Sequence, residues 1–318
     1  MYVRTLLTLC LAAAAAGGSL LAADSPIASR YPGDAGIKKD PAVIFADDFE
    51  SWTDGGTKPP AGTWDAEQKK TSRTRVVPGK VVADGLSGPG SGVLEIACWT
   101  PGKGESSGGV ELRLGNYNHA NEGRGDGYEE LFVRYYIKFD ENYRGVANHG
   151  ANLGGRDVSR PGSAWAGMAA IRDIASRGYF YSGLQPYGKN DSPELEMGFY
   201  SYHLDKHDQW GDTYEVQKHI PVRVGEWHCV ERHMKLNSVT AAGEANADGI
   251  EELWVDGQIS ICKAVRFRRT PKLRITFFSL GTYYHGLPKD YDAAHPIKVY
   301  FDNLVIARKY IGPMSKAD

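Results

Sequence analysis

Glu194-Leu195-Glu196-Met197-Gly198-Phe199-Tyr200-Ser201-Tyr202-His203, followed by Asp205, Gln209-Trp210 and Gly211-Asp212, is the stretch on which the fold turns. Its alternation is that of a β-strand. Leu195, Met197 and Phe199 fall on one face, and Glu194, Glu196, Tyr200 and Tyr202 on the other. The first face packs and the second displays chemistry. Two phenols and two carboxylates in a row suit a groove for something polar and extended, such as a sugar chain.

Outward from this stretch the chain keeps the same character. It is rich in glycine and aromatic residues and shows few helical periods, which argues for β structure. Strands are predicted at Val43-Phe49, Gly92-Cys98, Gly109-Leu114, Glu130-Phe139, Trp165-Ile171, Gly178-Leu184 and Glu194-His203. Further strands are predicted at Glu226-Leu236, Glu251-Val255, Ile259-Phe267, Leu273-Leu280 and Lys298-Ile306. This many strands without an internal helix predicts an all-β fold, a sandwich of two antiparallel sheets. Asp256-Gly257 between Trp254-Val255 and Ile259 reads as a tight hairpin turn. Pairing of the terminal strands would bring Asp47 and Asp48 close to Asp302.

Residues 1–23 have the form of a cleavable secretory signal: Arg4, an apolar run Leu6 to Ala16, then small residues up to Ala23. A secreted or periplasmic protein is expected. Residues 24–40, polar and without an apolar period, read as a flexible tether. Residues 41–312 form one large β domain, and 313–318 a tail. No other apolar run reaches membrane length, and a monomer is expected. The net charge of −2 gives no footing for nucleic acid or an anionic membrane. Of the four cysteines, Cys98, Cys229 and Cys262 survive signal removal. One pair bridging and buried free thiols are both open readings.

From about Leu131 onward the chain resembles the family-14 polysaccharide lyases. The resembling segments are Arg134-Tyr135-Tyr136-Ile137-Lys138-Phe139-Asp140-Glu141-Asn142-Tyr143, Leu153-Gly154-Gly155, Tyr200-Ser201-Tyr202-His203, Gly225-Glu226-Trp227-His228, Leu236-Asn237, Asp248-Gly249, Trp254-Val255-Asp256-Gly257 and Tyr300-Phe301-Asp302-Asn303. The resemblance implies a concanavalin-like jelly roll and cleavage of an alginate- or glucuronan-like acidic polysaccharide. It places the family's Tyr-x-Tyr pair on Tyr200 and Tyr202. Two departures accompany it. Where the family has a Lys before its Gly-Gly segment this chain has Asn148-His149, which makes His149 the substitute. Where the family has Ser-x-Arg on a strand, this chain runs Trp165 to Arg172 with the Arg at another register and no matching Ser.

Eliminative cleavage of a uronic acid polymer needs the C5 carboxylate neutralised, the C5 proton removed and the departing O4 protonated. A free tyrosine titrates near 10, so a tyrosine base needs its phenolate stabilised. Tyr200 or Tyr202 is read as base, acid or both in turn, with His149 as carboxylate neutraliser or alternative base. Arg113, Arg172 and His149 are read as phenolate-stabilising cations. Two residues apart on a strand, the phenols face the same way roughly 6.5 to 7 Å apart. The bland alternative is an aromatic platform that contacts sugar without chemistry.

Tyr179 and Tyr181, on a strand read as the neighbour of Tyr200, would extend the groove together with Glu196. Tyr284 and His285, read as lying in a loop, would overhang it. His203 reads as packed or capping, and Glu111 with Arg113 as a structural ion pair. The basic run Lys263, Arg266, Arg268, Arg269, Lys272 and Arg274 meets either an anionic polymer or solvent at a strand edge. Asp47, Asp48 and Asp302 could supply oxygens to a structural Ca²⁺, although turn and cap roles are preferred. The elimination itself requires no metal or organic cofactor. Two rival readings stand: a non-catalytic, lectin-like carbohydrate-binding domain, and third, a retaining glycosidase using Glu194 and Glu196. The last is disfavoured because same-face neighbours do not flank a glycosidic bond at the required separation of about 5 to 5.5 Å.

Overall fold

The computed structural model describes residues 25–53, 56, 58–68, 72–78, 91–98, 105–117, 123–141, 143, 148–157, 159, 178–187, 192–214, 216–285 and 297–316. Of residues 66–68, 72–78, 98, 105–107, 148, 149, 284 and 285 it describes the backbone alone.

Two antiparallel sheets face each other. The first runs, in spatial order, β14 (Gln258–Ala264), β13 (Ile250–Val255), β12 (His228–Lys235), β6 (Glu130–Phe139), β16 (Ile297–Ala307), β4 (Gly92–Cys98) and β3 (Ser72–Pro78), with β1 (Val43–Asp47) also on β16. The second runs β10 (Asp212–Thr213), β9 (Glu194–Tyr202), β8 (Tyr179–Tyr187), β7 (Asn148–Arg156), β15 (Phe277–His285), β5 (Glu105–Arg113) and β2 (Ala66–Gln68), with β11 (Val222–Arg223) on the outer edge of β9. The order mixes near and distant strands, as expected of a jelly roll.

Alternation decides what lies between the sheets. Leu94, Ile96, Val133, Tyr135, Ile137 and Phe139 of the first sheet meet Phe180, Leu184, Leu195, Met197, Phe199, Phe278 and Leu280 of the second in one core. Each large apolar side chain removed from water there stabilises the fold by about 1.5–3 kcal/mol. The hairpin between β13 and β14 is turned by Asp256 and Gly257 at φ of 49° and 74°, the two positive angles of a two-residue turn. The expected pairing of terminal strands is present: β1 lies antiparallel to β16 with Asp47 opposite Leu304.

Several expectations are corrected. The segment read as a flexible tether is docked: residues 27–39 form three short 3-10 turns, and Ile27, Ala28 and Ile37 pack on Phe132, Trp254, Val305, Ala307 and Ile311. Its polar look conceals the pair Ile27-Ala28 and, nine residues on, Ile37, which pack on the outer face of the first sheet. Ala28 N–H donates to the Ile311 carbonyl at 2.9 Å, and Arg134 pairs with Asp34 at 2.5 Å. The tail is held as well, with Gly33 N–H on the Ser315 carbonyl (2.9 Å) and Met314 N–H on the Tyr136 hydroxyl (2.9 Å).

β7 was not expected as a strand. Its glycines depress the strand signal, and a bulge at Ala151 (φ 47°) breaks the period of two. Tyr283, Tyr284 and His285 were expected in a loop but form the end of β15, because Ser106 and Glu105 of β5 continue the ladder opposite Tyr284 and His285. The expected strand Trp165-Ile171 and the signal segment 1–23 lie outside the described residues.

Arg266, Arg268 and Arg274 of the basic run are held in ion pairs, while Lys263, Arg269 and Lys272 are exposed. Arg266 pairs with Asp205, and the buried Arg268 bonds the Asn237 and Leu273 carbonyls and Glu129. Cys229 is a free thiol, and both Cys229 and Cys262 are buried. Among the described residues no helix is long and apolar enough to cross a membrane.

Candidate functional site

β9 presents its residues as its alternation dictates. Leu195, Met197 and Phe199 enter the core. Tyr200 and Tyr202 face outward, with hydroxyls 3.3 Å apart and rings edge-to-face at 5.5 Å between centroids. The hydroxyls are closer than the strand repeat because the rings lean together. Gly211, in the segment leading into β10, donates its N–H to the Tyr200 oxygen at 3.0 Å. Burial, reinforced by the neighbouring Tyr200, pushes the Tyr202 pKa well above its ordinary value. The Lys206 ammonium lies 5.8 Å from the centre of the Tyr202 ring and donates to the Asp208 carbonyl.

The neighbouring strand completes an aromatic floor. Register sets Tyr181 opposite Tyr202, with ring centroids 6.1 Å apart, and Tyr179 lies two residues earlier on the same face. Tyr117, Tyr179, Tyr181, Tyr202 and Phe277 form one cluster against which Tyr200 packs. Within it only Tyr200 is as much as partly exposed. The Tyr181 hydroxyl donates to Asn152 Oδ1 at 2.5 Å, and Asn152 Nδ2 donates to Ser279 Oγ at 3.0 Å. The Arg156 guanidinium lies 5.8 Å from the centre of the Tyr117 ring.

Beneath the pair the strand is anchored through its inward residue. Ser201 Oγ donates to Glu251 Oε2 at 3.0 Å and lies 2.7 Å from Ser182 Oγ. Arg232 donates to Glu251 Oε1 (2.7 Å), Ser182 Oγ (2.9 Å) and, at the β7 bulge, the Ala151 carbonyl (2.8 Å).

The other expected site residues are placed as follows. Arg113, Phe277, Gly154, Tyr181 and Tyr202 form one cross-strand row, with Arg113 and Tyr202 at its ends. Four strand spacings, roughly 19 Å, separate their backbones. Arg113 is therefore not the cation at the tyrosine pair, and it stands 3.7 Å from Glu111, the expected structural partner. Burial raises the pKa of Glu111. His149 is on β7 opposite Tyr283, and Tyr284 is opposite Asn148. The backbones of His149, Tyr284 and His285 belong to the same sheet as the pair. Arg172 lies outside the described residues.

Glu194 and Glu196 share the outward face with the tyrosines and are bridged by His219, Nδ1 to Glu196 at 2.8 Å and Nε2 to Glu194 at 3.2 Å. His203 is packed and capping: its Nδ1 accepts the Asp205 N–H at 3.2 Å, and burial drives its pKa down to about 4.

Asp47, Asp48 and Asp302 behave as turn and cap residues. Asp47 accepts the Phe49 N–H and the indole N–H groups of Trp52 and Trp64. Asp48 accepts the Glu50 N–H and Asp302 the Asn303 N–H. Among the described residues no three His, Cys, Asp or Glu side chains gather as a metal-holding group. Sequence reasoning missed Tyr117, Asn152, Arg156, Lys206, Gly211, His219 and Phe277. Gly211 had a signal, since it followed the tyrosine strand within a few residues. Lys206 had the same signal, Asn152, Arg156 and Phe277 are joined to the site by sheet register, and Tyr117 and His219 reach it from connecting segments.

No protein-family model and no curated protein sequence matches the chain. Among solved structures it is similar to the marine PL-14 alginate lyase from Aplysia kurodai, at a TM-score of 0.57 and 14% identity over 84% of this chain and 99% of that one. It is also similar to the endo-β-1,4-glucuronan lyase from the fungus Trichoderma reesei (0.53, 15%, 86% and 99%) and to the alginate lyase vAL-1 from Chlorella virus (0.54, 16%, 84% and 99%). The chain carries the fold of these lyases. At such identities the likeness is one of fold. The polysaccharide-lyase jelly roll accounts for the antiparallel order of both sheets.

Proposed function

We propose that the protein is an exported polysaccharide lyase that cleaves a uronic-acid-containing polysaccharide by β-elimination, with Tyr200 as base. The observation that carries this reading is the pair of contacts at one phenol: Gly211 N–H donates to the Tyr200 oxygen at 3.0 Å, and the Tyr202 hydroxyl, able to donate to it, lies 3.3 Å away. Hydrogen bonds to the charged form of a group favour that form. Tyr202, held protonated by its burial, is the matching acid.

In the reaction the C5 proton passes to the Tyr200 phenolate. The electrons of the C5–H bond become the C4=C5 double bond, and the C4–O4 bond breaks with its pair going to O4. O4 takes the Tyr202 proton. Transfer of the new Tyr200 proton to Tyr202, between hydroxyls already in contact, resets the pair. His149 is proposed to neutralise the C5 carboxylate, from a strand two places from β9 in the same sheet. Tyr179 and Tyr181, expected to extend the groove, are buried beneath Tyr200, and they are proposed to hold the pair in place while Tyr200 meets the sugar. The chemistry needs no metal or organic cofactor.

A second reading, a carbohydrate-binding domain without the reaction, is favoured by one observation. The cation beside the pair, Lys206, faces the Tyr202 ring and donates to the Asp208 carbonyl, an arrangement that stabilises a platform more than a phenolate. Incubation with alginates, glucuronans and glycosaminoglycans, read by the ultraviolet absorbance of unsaturated uronate, separates the two. Growth of the band supports the lyase, and silence across the panel with binding retained supports the platform.

A further inference from the structure

Residues 203–211 lead from Tyr202 to β10, and Trp210 among them is 45% exposed. The other described tryptophans are used by the fold. Trp64, Trp227 and Trp254 are buried, and Trp52 packs on Phe49 and donates its indole N–H to Asp47. Among the described residues Trp210 is the one large apolar side chain that stands more than a third in water.

A single exposed indole needs no function by itself, but this one stands against the tyrosine pair. The next residue, Gly211, lies on both rings. A Cβ added there would be 2.8 Å from Tyr200 Cε1, 2.9 Å from Tyr200 Cζ and 3.0 Å from Tyr202 Cε2, and the Gly211 N–H donates to the Tyr200 oxygen at 3.0 Å. Consecutive Cα atoms are about 3.8 Å apart, so the Trp210 backbone stands beside the Tyr200 hydroxyl. The loop is also braced. Asp212 accepts the His207 backbone N–H at 3.1 Å and lies 2.9 Å from His207 Nδ1. Asp208 accepts the Gln209 N–H at 2.6 Å through Oδ1 and the Lys206 ammonium at 2.5 Å through its carbonyl. Arg266 pairs with Asp205, and its carbonyl accepts the Leu204 N–H at 2.9 Å. The backbone that carries Trp210 is thereby ordered in advance, and a ligand stacked on the ring gives up little further freedom to fix it.

Tyr179, Tyr181 and Tyr202 are buried in one cluster and offer no open ring face to a sugar. The exposed indole does: it presents a broad apolar surface with an N–H donor at its edge, a match for the C–H face and rim hydroxyls of a pyranose. β10, into which the loop leads, pairs with β9 on the side away from β8 and β7, so Trp210 and the strand of His149 stand on opposite sides of Tyr200. Resting on the reading of the outward face of β9 as a polysaccharide site, we propose that Trp210 is the stacking surface for the sugar unit next to the one held at Tyr200. The polymer then runs across the strands, past the tyrosine pair and out over the edge of the sheet.

The test uses the full mature protein carrying Tyr200→Phe, which leaves the ligand whole, with glucuronate and mannuronate oligosaccharides as probes. In calorimetry Trp210→Ala weakens binding about three- to tenfold, the scale of one aromatic contact, and Trp210→Tyr recovers most of the loss. Bound oligosaccharide shields tryptophan fluorescence from acrylamide, and the shielding is lost in Trp210→Phe. With Tyr200 intact the Trp210→Ala loss falls on KM and leaves kcat nearly unchanged, because the ring binds a unit that does not react. Equal affinity in Trp210→Ala and its parent, or shielding undiminished in Trp210→Phe, overturns the proposal. Shielding that follows protein concentration instead of oligosaccharide makes the ring a contact between copies of the chain and overturns it too. Binding that depends on Trp210 without elimination by the wild type overturns the lyase reading alone, and absence of binding to either oligosaccharide overturns both.

Discussion

Arg232 and Glu251 form a 2.7 Å ion pair with both side chains wholly buried between the sheets, and Ser201, the residue between the two outward tyrosines, is tied to that pair. The outward chemistry of β9 is therefore fixed from within. Burial by itself raises the pKa of Glu251, while Arg232 and the bonds from Ser182 and Ser201 oppose the rise. Removing one partner of such a pair leaves an uncompensated buried charge and costs about 3–5 kcal/mol. Arg232→Met is expected to lose stability on that scale in urea unfolding. Ser201→Ala is expected to lose about 1 kcal/mol, the scale of one buried hydrogen bond.

Both tyrosines should respond to loss of the hydroxyl. Tyr200→Phe removes the base and is expected to lower kcat by at least ~10²-fold, the lower range of general base catalysis, with KM little changed. Tyr202→Phe removes the acid and the hydroxyl beside the Tyr200 oxygen, and it should also lower kcat by at least ~10²-fold. An unchanged kcat in Tyr202→Phe would contradict the acid role.

His203 gives a pH dependence of stability. Its folded pKa, about 4, lies below the ordinary 6.5 because the ring is buried and Nδ1 must stay unprotonated to accept the Asp205 N–H. Between these values the unfolded chain binds the extra proton, so this contribution is full above pH 6.5 and is lost as pH falls toward 4. The integrated effect is on the order of 2–3 kcal/mol. The stability difference between wild type and His203→Gln, followed in urea from pH 7 to 4.5, should shrink by that order.

Asp302 acts with the opposite sign. Burial, with repulsion from Glu50 and Asp48, lifts its pKa to about 8. The folded state then holds a proton that the unfolded chain has released above pH 4, and stability falls as pH rises toward 8. Asp302→Asn keeps an acceptor for the Asn303 N–H and removes the titration. It should be more stable than wild type by at least about 1 kcal/mol at pH 9, with the gap closing near pH 4.

Much of the sandwich was legible because the signal is local. The alternation in Glu194 to Tyr202 and the Asp256-Gly257 turn each follow from neighbouring residues, and the structure returns both. β7 escaped because glycines and a bulge erase alternation, and the docked segment 25–40 escaped because three apolar residues among charged ones read as solvated chain. The site divides in the same way. Tyr200, Tyr202, Tyr179 and Tyr181 were found from period and strand adjacency. Asn152 and Phe277 reach the floor only through the order β9-β8-β7-β15, a long-range arrangement that a linear reading does not contain. Arg113 was misplaced for the same reason: its strand type was right and its distance across the sheet was not visible.

The most direct test of the central claim is the appearance of the 4,5-unsaturated uronate end, followed by absorbance and by NMR, when purified mature protein is mixed with an acidic polysaccharide that it binds. The account predicts unsaturated ends with wild type and their loss in Tyr200→Phe with binding retained. Saturated reducing ends, or unsaturated ends formed equally by Tyr200→Phe, would contradict it.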